Sequence, residues 1–362
     1  MSSAKNLIFK TLYLFVLFFL WNSHLSFAQE EEKTDTVKAS TLLPNQDAEI
    51  SYNNGITLFT ESKFQAAIEE FSKAITLKPD FDKAYLNRGI AKAETGQFKA
   101  ALEDFLIVQT LNIETPNLFF NLAKCYQNLS KNPEALEAFQ KAIERNDNAA
   151  QSHYGRGTIY FLEKDYQKAE AEFTKAIELK ADYAYAYNDR ASTKKQLENM
   201  DGALADYKKA ADLQPEAAFV WNNLGSVKKR KGDLDAAIED YTKAIRLKPD
   251  YYIAYNNRGS ARYDKGDFKG AIEDFTEAIK LKPDYEFAYN NRANAKFKIK
   301  DYKGSVDDCT KAIQLNPEYA AAYMNRGNSK EMLRDTKGAC IDWKKAVAKG
   351  LDTPKSFISD CK

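Results

Sequence analysis

Several residue types are scarce in this chain, and each shortage narrows what it can do. The 362 residues include 2 His, 4 Cys, 3 Trp and 4 Met. Beyond the N-terminal segment the one histidine is His153, which stands in a mostly aromatic column and reads as a packing residue. There is no HExxH, no CxxC, no Gly-rich phosphate loop and no Gly-x-Ser-x-Gly. No catalytic residue, metal or cofactor is therefore expected. Net charge is also lacking: 53 basic residues stand against 52 acidic ones. A nucleic-acid binder normally carries an excess of Lys and Arg to neutralise phosphate, so that partner class is not expected. With 9 Pro and 15 Gly the chain is neither collagen-like nor low in complexity. The apolar core of the N-terminal segment, Leu12 to Trp21, is about ten residues, whereas a membrane-spanning helix needs about 20.

That apolar run belongs to a leader-like segment. Lys5 and Lys10 give a positive start, and Ser26-Phe27-Ala28 places small residues where a signal peptidase reads. Residues 1–28 are expected to be a cleaved signal peptide, which makes the chain an exported, periplasmic or cell-surface protein of bacterial style. An uncleaved anchor is the alternative; no Cys follows the run, which argues against a lipoprotein. Cleavage removes two lysines and no acid, taking the formal charge from +1 to −1. Residues 29–47 are polar, with Glu30, Glu31 and Glu32 together, and are expected to form a flexible linker.

What the chain has in abundance is repetition. Lys-Ala-Ile recurs at Lys73, Lys141, Lys175, Lys243 and Lys311. The Ala of that motif, or its equivalent, returns every 34 residues from Ala74 to Ala346, with Val108 alone departing. Nine units follow, at 48–81, 82–115, 116–149, 150–183, 184–217, 218–251, 252–285, 286–319 and 320–353. Position 8 of each unit is small, position 20 is Ala except at Ser305, and position 24 is a large aromatic except at Cys309. Positions 4, 8 and 11, and again 20, 24 and 27, make two helical stripes. Gly-Asp near position 15 marks a turn. Pro79, Pro215, Pro249, Pro283 and Pro317 stop the second helix at position 32. A single hairpin cannot bury its apolar face, so the hairpins must stack.

These columns resemble the tetratricopeptide repeat (TPR) family over residues 48–353; Tyr255, Gly259, Ala271, Phe275, Ala278 and Pro283 carry the pattern in the seventh unit. The resemblance implies an all-α TPR solenoid, a right-handed superhelix of antiparallel hairpins with a concave groove. Units three and four are weaker, since Ile113, Asp147 and Ala181 occupy the proline column, and irregularity is expected there.

Position 7, usually apolar in that family, is Arg in six units. In an antiparallel hairpin it lies opposite position 23, which gives the expected ion pairs Arg88–Asp104, Arg156–Glu172, Arg190–Asp206, Arg258–Asp274, Arg292–Asp308 and Arg326–Asp342. Leu122 faces Ala138, and Leu224 facing Asp240 breaks the rule. A basic ladder that grips an anionic ligand is the other reading of the same arginines.

Position 6 points into the groove in that family. Here it is Asn53, Asn87, Asn121, Asn223, Asn257, Asn291 and Asn325, interrupted by Gly155 and Asp189. A row of amides can hold an extended peptide backbone, similar to the asparagine ladder of O-GlcNAc transferases; such residues can equally bond their neighbours. Lys83, Asn87 and Asn121 match half of a chaperone carboxylate clamp, but Gln151 and Gly155 stand where its closing Lys and Arg belong. Positions 2, 5 and 12 add aromatics: Tyr52, Phe120, Tyr154, Phe161, Tyr185, Phe219, Tyr263, Phe287 and Phe297. Tyr185, Phe219 and Phe287 are the chosen groove candidates, and part of the set is expected to serve in packing.

The 34-residue register runs on past the ninth unit, so residues 354–362 begin a further first helix that caps the end. Cys361 takes its small position 8, close to Cys340, and a Cys340–Cys361 disulfide is expected; two reduced core residues are the alternative. Cys309 and Cys125 are expected in the core. The resulting reading is a non-catalytic scaffold that binds a protein or peptide segment in its groove. A structural subunit of an envelope or secretion assembly and a carbohydrate binder are the alternatives.

Overall fold

The computed structural model describes residues 43–351 and residue 361. Eighteen helices form nine hairpins along the described residues. They are α1 Leu43–Thr60 with α2 Phe64–Leu77, α3 Asp82–Glu94 with α4 Phe98–Leu111, and α5 Leu118–Asn128 with α6 Asn132–Glu144. Next come α7 Ala149–Leu162 with α8 Tyr166–Leu179, α9 Ala184–Gln196 with α10 Met200–Leu213, and α11 Ala218–Arg230 with α12 Leu234–Leu247. The last three are α13 Tyr252–Lys265 with α14 Phe268–Leu281, α15 Glu286–Lys298 with α16 Tyr302–Leu315, and α17 Ala320–Met332 with α18 Thr336–Ala348. Each helix packs on the one before and the one after it; beyond that, first helices touch the first helices of adjacent units while second helices do not meet. The first helices therefore form the inner layer of the curved stack and the second helices the outer layer.

The turn chemistry at position 16 explains where the second helices start. Asp165, Asp233, Asp267, Asp301 and Asp335 each accept a hydrogen bond from the backbone N–H three residues on, as N-caps. Gly266 precedes one of these caps at φ 90°, a left-handed conformation that costs glycine nothing. In the inter-repeat loops, Asn117, Asn146 and Asn148 adopt positive φ where Ile113 and Asp147 replace the proline. Ala181 does not disturb its loop, and Tyr183 enters α9 at φ −81°, like its equivalents.

The core lies between the layers. The position-24 rings Phe71, Phe105, Phe139 and Phe173 are wholly buried, as are Ala67, Ala101 and Ala135 at position 20. The ring of Phe275 lies so close to Gly259 that an added Cβ would sit 2.8 Å from it, which is why position 8 must be small. Gly155 has a different cause. Its added Cβ would sit 2.3 Å from Cζ of Phe139, the core ring of the preceding unit, so the asparagine column is broken here by packing.

Two boundaries differ from the sequence reading. Residues 43–47, assigned to the linker, are the first turn of α1. Pro44 is tolerated there because a first-turn residue has no helical N–H partner to lose, and the added turn leads into Ala48, which is fully buried beside Ala74 and Ile75. The proposed signal peptide, the rest of the linker and the C-terminal cap lie outside the described residues, apart from Cys361. Cys361 is joined to Cys340 of α18 with Cα atoms 5.4 Å apart and a sequence separation of 21. Closing such a loop stabilises by about 3 kcal/mol on the chain-entropy account. Cys125 and Cys309 are buried free thiols, each pushed up to about 12 by burial.

Gly155→Asn, which would restore the asparagine column, is expected to destabilise by about 1–3 kcal/mol through overpacking against Phe139. Thermal unfolding of the two proteins decides it; an unchanged midpoint contradicts the packing account.

Candidate functional site

The position-7 arginines are structural. Arg88 donates from Nε and Nη2 to the two carboxylate oxygens of Asp104 at 3.0 and 2.8 Å, and from Nη1 to Ser72 Oγ at 3.1 Å. Ser72 belongs to the preceding unit, so one guanidinium closes its own hairpin and ties it to its neighbour. Arg190 repeats this with Asp206 and Thr174, Arg258 with Asp274 and Thr242, Arg292 with Asp308 and Thr276, and Arg326 with Asp342 and Thr310. A second cation at position 11 completes each carboxylate: Lys92, Lys194, Arg262, Lys296 and Lys330 lie 2.7–3.0 Å from the same aspartates. The planar fork suits this bidentate grip, which Lys could not reproduce. The arginines also lie over position-4 rings, for example Arg258 over Tyr255 at 5.6 Å.

Exceptions follow from the same rule. In the fourth unit Arg156 meets Glu172 at 3.0 Å and Gln140 at 2.5 Å, and His153 hydrogen-bonds the other oxygen of Glu172 at 2.8 Å. His153 thus takes part in a polar cluster beyond the packing expected of it. Where position 7 is Leu122, the facing residue is Ala138 and the preceding position 25 is Leu106, so all three polar members are replaced together. At Leu224 the buried Asp240 keeps Lys228, 2.6 Å away, as its cation.

The asparagine column proves to join repeats. Asn223, Asn257, Asn291 and Asn325 each donate from Nδ2 to Oδ1 of the residue 35 positions earlier: Asn188, Asn222, Asn256 and Asn290, at 2.8–3.1 Å. Asn87 donates to Tyr52 Oη at 2.9 Å, and Tyr154 donates to Asp189 at 2.7 Å in the same register. Asn121 has Leu86 at that offset and Asn53 has no preceding unit, so neither makes this bond. One N–H of each strut amide is therefore committed to the neighbouring repeat, while the residues remain half-buried on the inner layer.

The aromatics divide in two. Phe161, Tyr263 and Phe297 at position 12 meet Tyr166, Phe268 and Tyr302 edge-on, which places them in the hairpin rather than on a free surface. Tyr154 is buried against Phe173 and Tyr183, Phe120 lies against Phe139, and Tyr52 against Phe71 and Phe81. Tyr185 and Phe219 instead stack on each other at 5.8 Å with planes 13° apart, both half-buried. Phe287 sits half-buried between Tyr285 and Tyr319. Near the N-terminal end a cavity of about 370 Å³ opens among Tyr52, Asn53, Ile56, Phe81 and Lys83.

Profiles of the tetratricopeptide repeat match residues 55–96, 120–184, 184–216, 222–286 and 287–319. The chain belongs to the tetratricopeptide repeat family, and its fold is the α-solenoid of that family, wound as a right-handed superhelix. A chain of the APC/C hetero-tetramer Cut9–Hcn1 is similar in fold at 15% identity and a TM-score of 0.55, over 87% of this chain and 76% of that one. MamA is 25% identical over 47% of this chain and 97% of its own, with a TM-score of 0.42. YrrB, described as a TPR protein with an unusual peptide-binding site, is 23% identical over 52% and 97%, with a TM-score of 0.44. No curated sequence matches the chain. Repeats of this family support a protein-interaction scaffold, and no described helix is long and apolar enough to cross a membrane.

Two buried carboxylates should respond oppositely to substitution. Burial raises the Asp342 carboxyl, but hydrogen bonds from Arg326 and Lys330 outweigh that and leave its pKa lowered. Its stabilisation is therefore full above the ordinary carboxylate range and is lost as pH falls through the lowered value. Burial raises Asp240, and Lys228 alone does not offset it. Asp342→Asn is expected to cost on the order of 3 kcal/mol at pH 7, with the gap narrowing toward pH 3. Asp240→Asn is expected to be neutral or stabilising at pH 7. Urea unfolding of both variants checks this, and equal losses would contradict it.

Proposed function

We propose that the chain is an exported scaffold whose inner layer holds an extended segment of a partner protein. The observation that carries the reading is the row of inner-layer amides: Asn257, Asn291 and Asn325 each spend one N–H on the adjacent repeat and keep a side-chain carbonyl for a ligand backbone. Tyr185, Phe219 and Phe287 stand beside that row as half-buried aromatic anchors of the kind that dominates protein recognition. Export rests on the leader-like residues 1–28, and the Cys340–Cys361 bridge suits an oxidising compartment.

One observation favours a second reading, that of an assembly subunit contacted on its outer layer. Leu106, Ile107, Leu111 and Ile113, on and just after α4, are 36–46% exposed. Other units place Ser, Thr, Gln, Lys or Glu at the positions of the first two.

The test is affinity capture from an envelope extract, comparing the wild type with a triple Tyr185→Ala, Phe219→Ala, Phe287→Ala variant that remains fully helical. The aromatics are chosen because the amides also join repeats. Loss of a partner captured by the wild type supports the inner-layer reading. Retention of the same partner moves the binding site to the outer layer or the chain ends.

A further inference from the structure

Polar residues at position 12 of two first helices reach forward to the next one. Lys229 Nζ lies 2.9 Å from Asp264 Oδ2 and donates to Ser260 Oγ at 2.9 Å, both on the following first helix α13. Gln127 likewise donates to Thr158 Oγ1 of α7 at 2.8 Å. One repeat before Lys229, the position-12 residue is Lys195 on α9, and the residue where Asp264 would stand is Arg230 on α11. The carboxylate of one junction is thus a guanidinium at the other.

The consequence is an uncompensated cation. Lys195 is half-buried and makes no side-chain hydrogen bond or ion pair among the described residues. Burial lowers its pKa, and the charge that adds to this is Arg230, another cation. The acids nearby are otherwise engaged: Glu198 binds Arg230 through two hydrogen bonds of 2.8 and 2.9 Å, and Asp206 is held by Arg190 and Lys194. Asp189 accepts from Tyr154 and Asn188. A charge removed from water without a counter-charge is costly, and an incoming anion relieves that cost.

We propose that Lys195 and Arg230 form an anion subsite on the inner layer, which seats an acidic side chain of the bound partner segment. This deepens the groove reading and rests on it. The subsite lies on the same two helices as the stacked Tyr185 and Phe219, which stand near their opposite ends. It differs from the chaperone-type clamp, whose closing residues are Gln151 and Gly155 here.

The experiment uses the full mature chain on an array of immobilised heptapeptides, each bearing a central Asp or Glu, with matched Asn or Gln versions beside them. Acidic heptamers are expected to be retained about tenfold better, the size of one charge-assisted contact of roughly 1.4 kcal/mol. Lys195→Gln should reduce that preference to near parity. Arg230→Asp should do the same by copying the Lys229–Asp264 pair. Equal capture of acidic and amide peptides by the wild type, or a preference that survives both substitutions, overturns the subsite and leaves the groove reading standing. Capture of no heptamer of either kind removes both.

Discussion

A carboxylate enclosed between two helices has to be neutralised where it sits, and this requirement organises the solenoid. The position-23 aspartates are almost inaccessible, with Asp342 at 0% and Asp104 at 2% exposure. Each full cluster answers with a bidentate Arg, a second cation and a hydroxyl from the preceding repeat. The desolvation cost of such a group is several kcal/mol, so the cluster stabilises only while all members are in place. The hydroxyl contact ties each such cluster to the preceding repeat, so polar contacts set the offset between adjacent hairpins together with apolar packing. Where the Arg is absent, at Leu122, its partners are absent as well.

The same economy applies on the inner layer. The amides proposed to contact a ligand, Asn257, Asn291 and Asn325, also tie their repeats to the preceding ones, so their positions are set before any partner arrives. A pre-positioned polar row lowers the ordering cost of binding an extended segment. Specificity then has to come from features that are not repeated in every unit, and the stacked Tyr185–Phe219 pair and the Lys195–Arg230 pair are two such departures.

Much of this was legible in the sequence. A 34-residue period without insertions fixes hairpin, stack and core columns, because small residues at position 8 admit the position-24 rings. The Arg–Asp pairing followed from antiparallel geometry, since positions 7 and 23 are 16 residues apart. The hydroxyl at position 25 and the cation at position 11 lay in equally regular columns, but reading them requires knowing which face of the preceding repeat each arginine meets. The Asn-to-Asn offset of 35 residues was present too, at Asn188–Asn223 and Asn222–Asn257; a column examined by itself hides its partner in the next. Phe161, Tyr263 and Phe297 look like groove residues by helical phase, yet they close the hairpin because their neighbours Tyr166, Phe268 and Tyr302 lie across the turn. Gly155 is explained only by Phe139 of another repeat, a contact no single-unit pattern contains.

The central claim is that the buried carboxylate and its guanidinium act as one unit. A double-mutant cycle on Arg258→Met and Asp274→Leu, followed by urea unfolding, tests it most directly. Each single change should cost on the order of 3–5 kcal/mol by leaving the other charge buried and unpaired, while the double variant should recover most of that loss. A double variant whose loss equals the sum of the two single losses would mean that the pair is uncoupled, and the register of the repeats would have to be attributed to apolar packing and the inter-repeat amide bonds.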